Sequence, residues 1–281
     1  MLITTDHRRE GFGLNYIYPV ISRRSGGLSI GVNLNTNSAC NWRCIYCQVP
    51  GLTRGSAPNI NLDLLHKELR EFISGFMRGN NFERFSIPPD KRTIRDIAIS
   101  GNGEPTSATE FDQIIKTIGR SMQEAGLSPE AKLVLITNGS LMQRPGVQKG
   151  ITLIAQFNGE VWFKIDSVTD AGMRRINNAN ITMRTVRKNL TTCAGRCPTW
   201  IQTCVFALDG KPPSAEEQEH YIDFLATLQT EGVQLRGVLL YGIARSSRQP
   251  EASGFSRLPQ EWLEQYAARI IAIGLKAKIN M

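Results

Sequence analysis

Cys40-Asn41-Trp42-Arg43-Cys44-Ile45-Tyr46-Cys47 is the stretch from which the fold and the chemistry of this chain can be read. Its Cys-x3-Cys-x2-Cys spacing places three thiolates on one short loop. Such a loop can bind three irons of a cubane iron–sulfur cluster and leave the fourth iron open. A structural zinc site normally needs four closed ligands, and the three histidines of the chain lie at no standard zinc spacing from the loop. The ligand count therefore favours a cluster on Cys40, Cys44 and Cys47 over zinc.

A second stretch, about sixty residues later, carries glycines and a carboxylate at the end of a strand. Ile97-Ala98-Ile99 reads as a strand that runs into Ser100-Gly101-Asn102-Gly103-Glu104-Pro105-Thr106. Glycines at such a point let a backbone approach a ligand closely, and Glu104 adds a negative charge there. By itself, a turn of this composition is just as typical of an ordinary loop.

Together the two stretches resemble the motifs of the radical S-adenosylmethionine (SAM) superfamily. Tyr46 before the last cysteine completes the Cys-x3-Cys-x-aromatic-Cys signature, and the Glu104 turn resembles the motif that follows the second barrel strand in that family. The resemblance implies a [4Fe-4S] cluster whose open iron binds SAM, with Tyr46 near the adenine. It also implies SAM contacts from the turn and, after the third strand, from a polar residue; these are Gly101, Gly103, Glu104, Pro105 and Asn138.

The same resemblance implies a reaction. An electron from the reduced cluster would cleave SAM to methionine and a 5'-deoxyadenosyl radical, which abstracts hydrogen from a substrate carbon. The cofactor would carry this chemistry, and the protein would supply position and exclude water. The partner expected to deliver the electron is a small donor such as flavodoxin or ferredoxin.

Composition is consistent with a cytoplasmic enzyme that has no membrane partner. The chain has 281 residues, of which 41% are hydrophobic and 21% charged, and it contains no apolar run near 18 residues and no signal-peptide pattern. Its six cysteines are then expected to be reduced thiols or metal ligands. A net charge of +8 and a pI of about 9.3 permit a nucleic-acid partner without requiring one.

Alternating strand and helix signals predict one α/β domain over residues 27–281, preceded by an N-terminal extension over residues 1–26. Six strand–helix units favour a parallel sheet that curls into a partial (β/α)6 TIM-like barrel, which is also the fold that the radical SAM resemblance implies. Active sites on such sheets lie at the carboxyl ends of the strands, where both motifs fall. The predicted strands cover residues 28–34, 97–99, 133–136, 161–165, 200–206 and 235–240. The predicted helices begin at Asn61, near Phe111, after Ile165, at Ser214 and at Pro259.

Strand alternation predicts which side chains point into the barrel. In the fourth predicted strand, Val161, Phe163 and Ile165 form an apolar helix-facing side, which leaves Trp162, Lys164 and Asp166 inside. The inward set predicted on the other strands is Asn33, Asn35, Ser100, Gln202, Cys204 and Arg236. So polar a lumen suits a polar, anionic substrate.

Roles follow from these positions. Asp166 and Gln202 are candidate cofactor-binding residues, and Lys164, Cys204 and Arg236 are candidate catalytic residues. A purely structural Lys164–Asp166 pair is the alternative, because buried charges usually pair.

The remaining cysteines are not expected to form an auxiliary cluster. Cys193 and Cys197 precede the fifth predicted strand, whereas Cys204 lies near its far end, about 20 Å away at a strand's rise per residue. One cubane cannot span that distance. Cys204 is then either a small core residue or a thiol within reach of the radical.

From about residue 27 to 245 the chain most resembles the short radical SAM branch that contains the tRNA wybutosine-synthesis enzyme and its bacterial relatives. It departs from that enzyme in having no cysteines in the N-terminal segment. Three interpretations therefore stay open: a radical enzyme acting on RNA or another polar substrate, an activase that makes a glycyl radical on a partner protein, and a non-catalytic iron–sulfur or zinc module.

Overall fold

The computed structural model describes residues 13–22 and 25–280. Its main feature is an eight-stranded sheet in which only the first pair of strands is antiparallel. The order of the strands across the sheet is Ile17–Ser22, Gly27–Val32, Ile94–Ile99, Lys132–Thr137, Glu160–Lys164, Thr199–Cys204, Gly237–Tyr241 and Ala277–Asn280. The sheet curls into a half-barrel, which confirms the predicted α/β partial-barrel fold.

The strands are β1 (Ile17–Ser22), β2 (Gly27–Val32), β3 (Ala39–Cys40), β4 (Thr53–Arg54), β5 (Ile94–Ile99), β6 (Lys132–Thr137), β7 (Glu160–Lys164), β8 (Thr199–Cys204), β9 (Ala207–Leu208), β10 (Gly237–Tyr241), β11 (Phe255–Ser256) and β12 (Ala277–Asn280). The helices are α1 (Leu62–Met77), α2 (Asn80–Arg84), α3 (Phe111–Glu124), α4 (Pro145–Gln156), α5 (Asp170–Asn177), α6 (Met183–Ala194), α7 (Ala215–Thr230) and α8 (Gln260–Ala272). Among the residues that the structure describes, every helix is too short or too polar to span a membrane.

The helix starts follow local sequence rules. Asn61 caps α1 by accepting a hydrogen bond from the Leu64 amide, and Ser214 and Glu217 form the predicted capping box of α7. The predicted helical stretch between Ile165 and Leu190 is instead two helices, because α5 ends at Asn177 and the next residue, Asn178, adopts a left-handed conformation with φ 51°. Asparagine tolerates that conformation better than most residues.

The two faces of the sheet have different contents. One large hydrophobic core fills the space between the sheet and the helices, and it includes Ile97, Phe163 and Ile201. A smaller apolar cluster of Val134, Trp162, Trp200 and Leu239 lies on the other, concave face. Lys164, Cys204 and Tyr241, the last residues of β7, β8 and β10, line one cavity at the carboxyl ends of these strands.

Part of the predicted N-terminal extension is a strand of the sheet. Residues 17–22 form β1 and pair with β2, while residues 1–12, 23 and 24 lie outside the described residues. Eight of these strands and helices had no counterpart in the prediction: β1, β3, β4, β9, β11, β12, α2 and α4. Of these, β12 adds to β10 at the other end of the sheet.

Candidate active site

The cysteine loop follows β2 and opens into a cavity of about 290 Å³. Cys40, Cys44 and Cys47 are half-buried free thiols, and all three line this cavity. The Trp42 amide donates a hydrogen bond to Cys40 Sγ over 3.4 Å, and the Asn177 side-chain amide donates to Cys44 Sγ over 3.3 Å. Donors of this kind stabilise negative charge on sulfur, as metal-bound thiolates require.

The loop is fixed in place by contacts from α5 and from the segment after β10. The Ile45 amide donates to the Ile176 carbonyl over 2.9 Å. On the other side, Ser247 Oγ donates to the Ile45 carbonyl over 2.7 Å and lies 3.2 Å from the Cys47 carbonyl oxygen. The Arg248 amide also donates to the Cys47 carbonyl, over 2.8 Å. The cysteines therefore sit on a braced loop.

Burial raises the pKa of the Cys40 thiol to about 12 and that of Cys44 to about 11. Both side chains are therefore neutral thiols at ordinary pH, and metal binding would release their protons. Within residues 13–22 and 25–280, no three Cys, His, Asp or Glu side chains converge on a single metal ion. A cubane places one cysteine on each of three different irons, so its ligands do not need to meet at one point.

Glu104 lines the same cavity and is buried, with a relative exposure of 2%. It accepts hydrogen bonds from the Thr106 amide over 3.0 Å, from the hydroxyls of Thr106 and Thr137 over 2.6 Å each, and from the Asn138 amide over 2.7 Å. Burial raises its pKa in spite of these donors. No Lys or Arg of the described part of the chain pairs with it. A buried carboxylate of this kind favours a cationic ligand in the cavity.

The glycines of the Glu104 turn serve a packing role that the sequence did not indicate. A Cβ atom on Gly101 would lie 2.1 Å from Asn33 Oδ1, and one on Gly103 would lie 2.0 Å from the Ala39 carbonyl oxygen. The close approach is thus to β2 and to the start of the cysteine loop. Gly101 and Gly103 also line the cavity, whereas Pro105 starts a buried 3-10 turn.

Asn138 connects β6 to the cysteine loop. Its side-chain nitrogen donates to Asn41 Oδ1 over 2.8 Å, and its side-chain oxygen accepts from Ser140 Oγ over 2.7 Å. Asn138 lines the cavity as expected. Both its side-chain atoms, however, are engaged within the protein, so its contact with SAM stays a prediction.

Lys164, Asp166 and Tyr46 form one buried network, with Lys164 and Tyr46 lining the cavity. Lys164 Nζ lies 2.5 Å from Tyr46 Oη, 3.0 Å from Tyr241 Oη and 3.9 Å from Asp166 Oδ2. The Tyr46 hydroxyl donates in turn to Asp166. Burial opposes the charge on Lys164 most strongly, but attraction to Asp166, and then to Tyr241, Cys44 and Cys204, together raises the lysine pKa well above its usual range. Lys164 is therefore a fixed cation.

Asp166 is a supporting residue in this structure. Its side chain has no exposed surface, and its oxygens also accept hydrogen bonds from the Asn177 side chain over 2.7 Å and the Cys204 amide over 2.9 Å. The inward prediction for Lys164 agrees with the structure, and so does the alternative that the two residues pair. Asp166 does not line the cavity, so its contact with SAM stays a prediction.

Gln202 and Cys204 lie on the inner face of β8, as predicted, and both line the cavity. Gln202 is 2% exposed, and its Oε1 has no hydrogen-bond partner among the described residues. A buried amide oxygen without a donor is costly, so it points to a ligand group that donates to it. Cys204 packs against Tyr46 and Phe206 beside the cysteine loop.

Three other inward predictions have different outcomes. Ser100 lines the cavity, whereas Asn33 and Asn35 turn their side chains to the backbone of the Glu104 turn and of the cysteine loop.

The inward prediction for Arg236 is wrong. The strand begins at Gly237, one residue after the arginine, and Arg236 is exposed at the amino end of β10. The inward residues of β10 are Leu239 and Tyr241, which are of the opposite parity. Val238 and Leu240, which share the parity of Arg236, lie in the large core on the helix side, so regular alternation points this side of β10 away from the cavity.

Cys193 and Cys197 lie away from this site. Both are buried in the large core on the helix side, where Cys193 Sγ contacts Thr199 Oγ1 and Cys197 Sγ contacts the Gly159 carbonyl. Cys204 lies at the other end of β8 and belongs to a different cluster. The geometry agrees with the expectation that these three cysteines do not act together.

Sequence reasoning missed several parts of the site. Tyr18 and Ser29 line the cavity from β1 and β2, and Asn177, Ser247 and Gln249 hold the cysteine loop. The β-branched residues Ile17, Val20 and Ile21 are the local signal for β1. No local signal marks the loop residues, because their partners lie 133 to 202 positions away in the sequence.

Sequence comparisons do not assign the chain to a family. No family model matches the chain. In sequence it is 26% identical over 227 residues, 77% of its length, to the GTPase Obg of Brachyspira hyodysenteriae, and the match spans 29% of that protein. The chain contains no Gly-x4-Gly-Lys-Ser/Thr sequence, so it has no P-loop to which a GTPase activity could be assigned.

Solved structures show the fold. A radical SAM methyltransferase from Sphaerobacter thermophilus matches with a TM-score of 0.56 at 15% identity, over 90% of this chain and 66% of that one. SuiB of Streptococcus suis, solved with bound S-adenosylmethionine, matches with a TM-score of 0.52 at 10% identity, over 92% and 48%. The chain thus spans less than two thirds of the length of each. These likenesses confirm the predicted radical SAM fold.

Proposed function

We propose that the chain is a radical SAM enzyme. The observation that carries the proposal is the single cavity shared by three loop cysteines and by Glu104, at the carboxyl end of a half-barrel with this fold. Cys40, Cys44 and Cys47 would hold a [4Fe-4S] cluster. The buried carboxylate of Glu104 would receive the amino group of SAM, and the unpartnered oxygen of Gln202 would accept a hydrogen bond from SAM or the substrate.

When bound, the cluster and SAM would supply a 5'-deoxyadenosyl radical that abstracts hydrogen from the substrate. The residues of the chain hold the reactants and keep water out. Lys164 keeps its positive charge beside the cysteine loop, and the tyrosines on either side of it shield it from solvent. The apolar cluster around Trp162 and Trp200 closes the base of the concave face.

The substrate is proposed to be polar, with RNA as the first candidate, and the electron to come from a flavodoxin or a ferredoxin. Net charge and the polar cavity wall support this choice. A glycyl radical enzyme as the partner protein is the competing outcome. The amount of SAM that is reductively cleaved should rise when the true substrate is added. RNA, protein and metabolite fractions can therefore be compared by the 5'-deoxyadenosine that forms with each.

The test of the enzyme itself is the formation of 5'-deoxyadenosine. The protein is reconstituted with iron and sulfide under anaerobic conditions, reduced and given SAM. We expect 5'-deoxyadenosine from the wild type and from Cys193→Ser, and none from Cys44→Ser. An intact cluster that binds SAM without releasing any 5'-deoxyadenosine would refute the proposal.

A further inference from the structure

Asn177, the last residue of α5, aims its side-chain amide at a cluster cysteine. The residue has 0% exposure, and Nδ2 lies 3.3 Å from Cys44 Sγ and 2.7 Å from Asp166 Oδ2. An amide nitrogen carries two hydrogens, so both contacts are made at once. Carboxylate oxygens accept hydrogen bonds, and Asp166 therefore fixes the orientation in which nitrogen, rather than oxygen, faces the sulfur.

Lys164 brings a positive charge to the same side of the loop. Its Nζ contacts the hydroxyl of Tyr46, the residue between Cys44 and Cys47, and lies 4.8 Å from the centre of that ring. Cys44 and Lys164 line the same cavity. The charge of the lysine therefore lies where it would stabilise negative charge on a cluster held by this loop.

These contacts have a predictable effect on redox chemistry. One-electron reduction of a cluster adds a negative charge, which is stabilised by nearby cations and by hydrogen bonds to the sulfurs. Both effects are strong in a buried site, where solvent screens little. The negative charge of Asp166 opposes this stabilisation of the reduced cluster, but Asp166 also orients the Asn177 amide.

We propose that Asn177 and Lys164 raise the reduction potential of the cluster held by the cysteine loop, with Asp166 as the positioning residue for Asn177. The inference rests on the proposed function. A cluster with a higher reduction potential is easier to reduce. A one-electron donor of the flavodoxin or ferredoxin class would therefore reduce it more readily when these two side chains are present.

The experiment is a redox titration of the reconstituted protein, followed by electron paramagnetic resonance in the absence of SAM. Asn177→Leu and Lys164→Met are compared with the wild type, and Lys164→Arg tests whether charge alone restores the potential. Asn81→Leu is the matched control, because Asn81 is also a buried amide donor but bonds the Phe72 carbonyl in the outer helices. Iron content and circular dichroism establish that each variant is folded and loaded.

We expect Asn177→Leu and Lys164→Met to shift the potential to more negative values, with Lys164→Arg and Asn81→Leu close to the wild type. Should Asn177→Leu fail to fold, Lys164→Met carries the test. Fully loaded variants with an unshifted potential would overturn this inference alone. A wild-type chain that assembles no cluster would instead refute the proposed function.

Discussion

Cys40, Cys44 and Cys47 lie on a braced loop and face one cavity, whereas Cys193 and Cys197 are packed in the hydrophobic core. Burial raises the thiol pKa in both places, to about 12 for Cys40 and about 12 for Cys193. Thiol acidity therefore does not separate a candidate ligand from a core residue here. The separation comes from the shared cavity, the amide donors to sulfur and the buried carboxylate opposite.

The largest difference should come from replacing one loop cysteine and one core cysteine with serine. Cys44→Ser removes one of three ligands, so we expect loss of most of the cluster's visible absorption and of its iron. Cys193→Ser should keep both while lowering stability by about 1 kcal/mol or more, because a hydroxyl replaces a buried thiol. Iron analysis after anaerobic reconstitution measures the difference, and equal iron in the two variants would contradict the comparison.

The next effect concerns the carboxylate opposite the cysteines. Glu104→Gln removes the negative charge and turns an amide nitrogen toward groups that already donate, so SAM affinity should fall at least tenfold while the cluster remains. Titration calorimetry on reconstituted protein measures this. Glu68→Gln is the matched control, because Glu68 is buried and accepts hydrogen bonds from the Asn15 and Tyr16 amides, outside the cavity lining. Equal losses of affinity in both variants would remove Glu104 from the site.

The fold was predicted from the sequence because its information is local. The apolar faces of β5, β7 and β8 and the capping box at Ser214 each depend on residues a few positions apart. The inward positions of Lys164, Gln202 and Cys204 followed from the two-residue repeat of a strand. Arg236 was assigned to the wrong face, since Val238 and Leu240, which share its parity, lie in the core on the helix side.

The remainder of the site could not be predicted because it depends on pairing distant segments. Asp166 was expected at the cavity wall, and only the structure shows its oxygens occupied by Tyr46, Asn177 and Cys204. Ser247 reaches Ile45 across 202 positions of sequence. Such contacts depend on how loops from different strands meet at one end of the half-barrel.

Two smaller effects of opposite sign are expected at Gln202, a gain in stability and a loss of ligand affinity. Replacing it with leucine removes a buried oxygen that has no partner among the described residues, so the apoprotein should be more stable by about 1 kcal/mol. Binding of SAM or substrate should weaken several-fold. Thr203→Val on the other face of β8 is the control, because Thr203 bonds the Ile165 carbonyl and should only lose stability. Thermal unfolding and ligand titration together measure both effects, and a less stable Gln202→Leu apoprotein would show that the oxygen is already satisfied.

The smallest effect is expected where the segment after β10 holds the loop. Ser247→Ala removes the hydroxyl bonded to the Ile45 carbonyl, which should cost about 1 kcal/mol and speed cluster loss to a chelator several-fold. Ser121→Ala, a buried hydroxyl bonded to the Thr117 carbonyl in α3, should cost similar stability without changing cluster loss. Chelator kinetics followed by absorbance measure this, and equal rates would mean that the segment does not protect the cluster.

The most direct test of the central claim is the electron paramagnetic resonance spectrum of the reconstituted, reduced protein with and without SAM. If Cys40, Cys44 and Cys47 hold a cubane with one open iron facing Glu104, a reduced [4Fe-4S] signal should appear and change its shape when SAM is added. The Glu104→Gln variant should show the signal but need more SAM to change it. A wild-type signal that is the same at every SAM concentration would contradict the account.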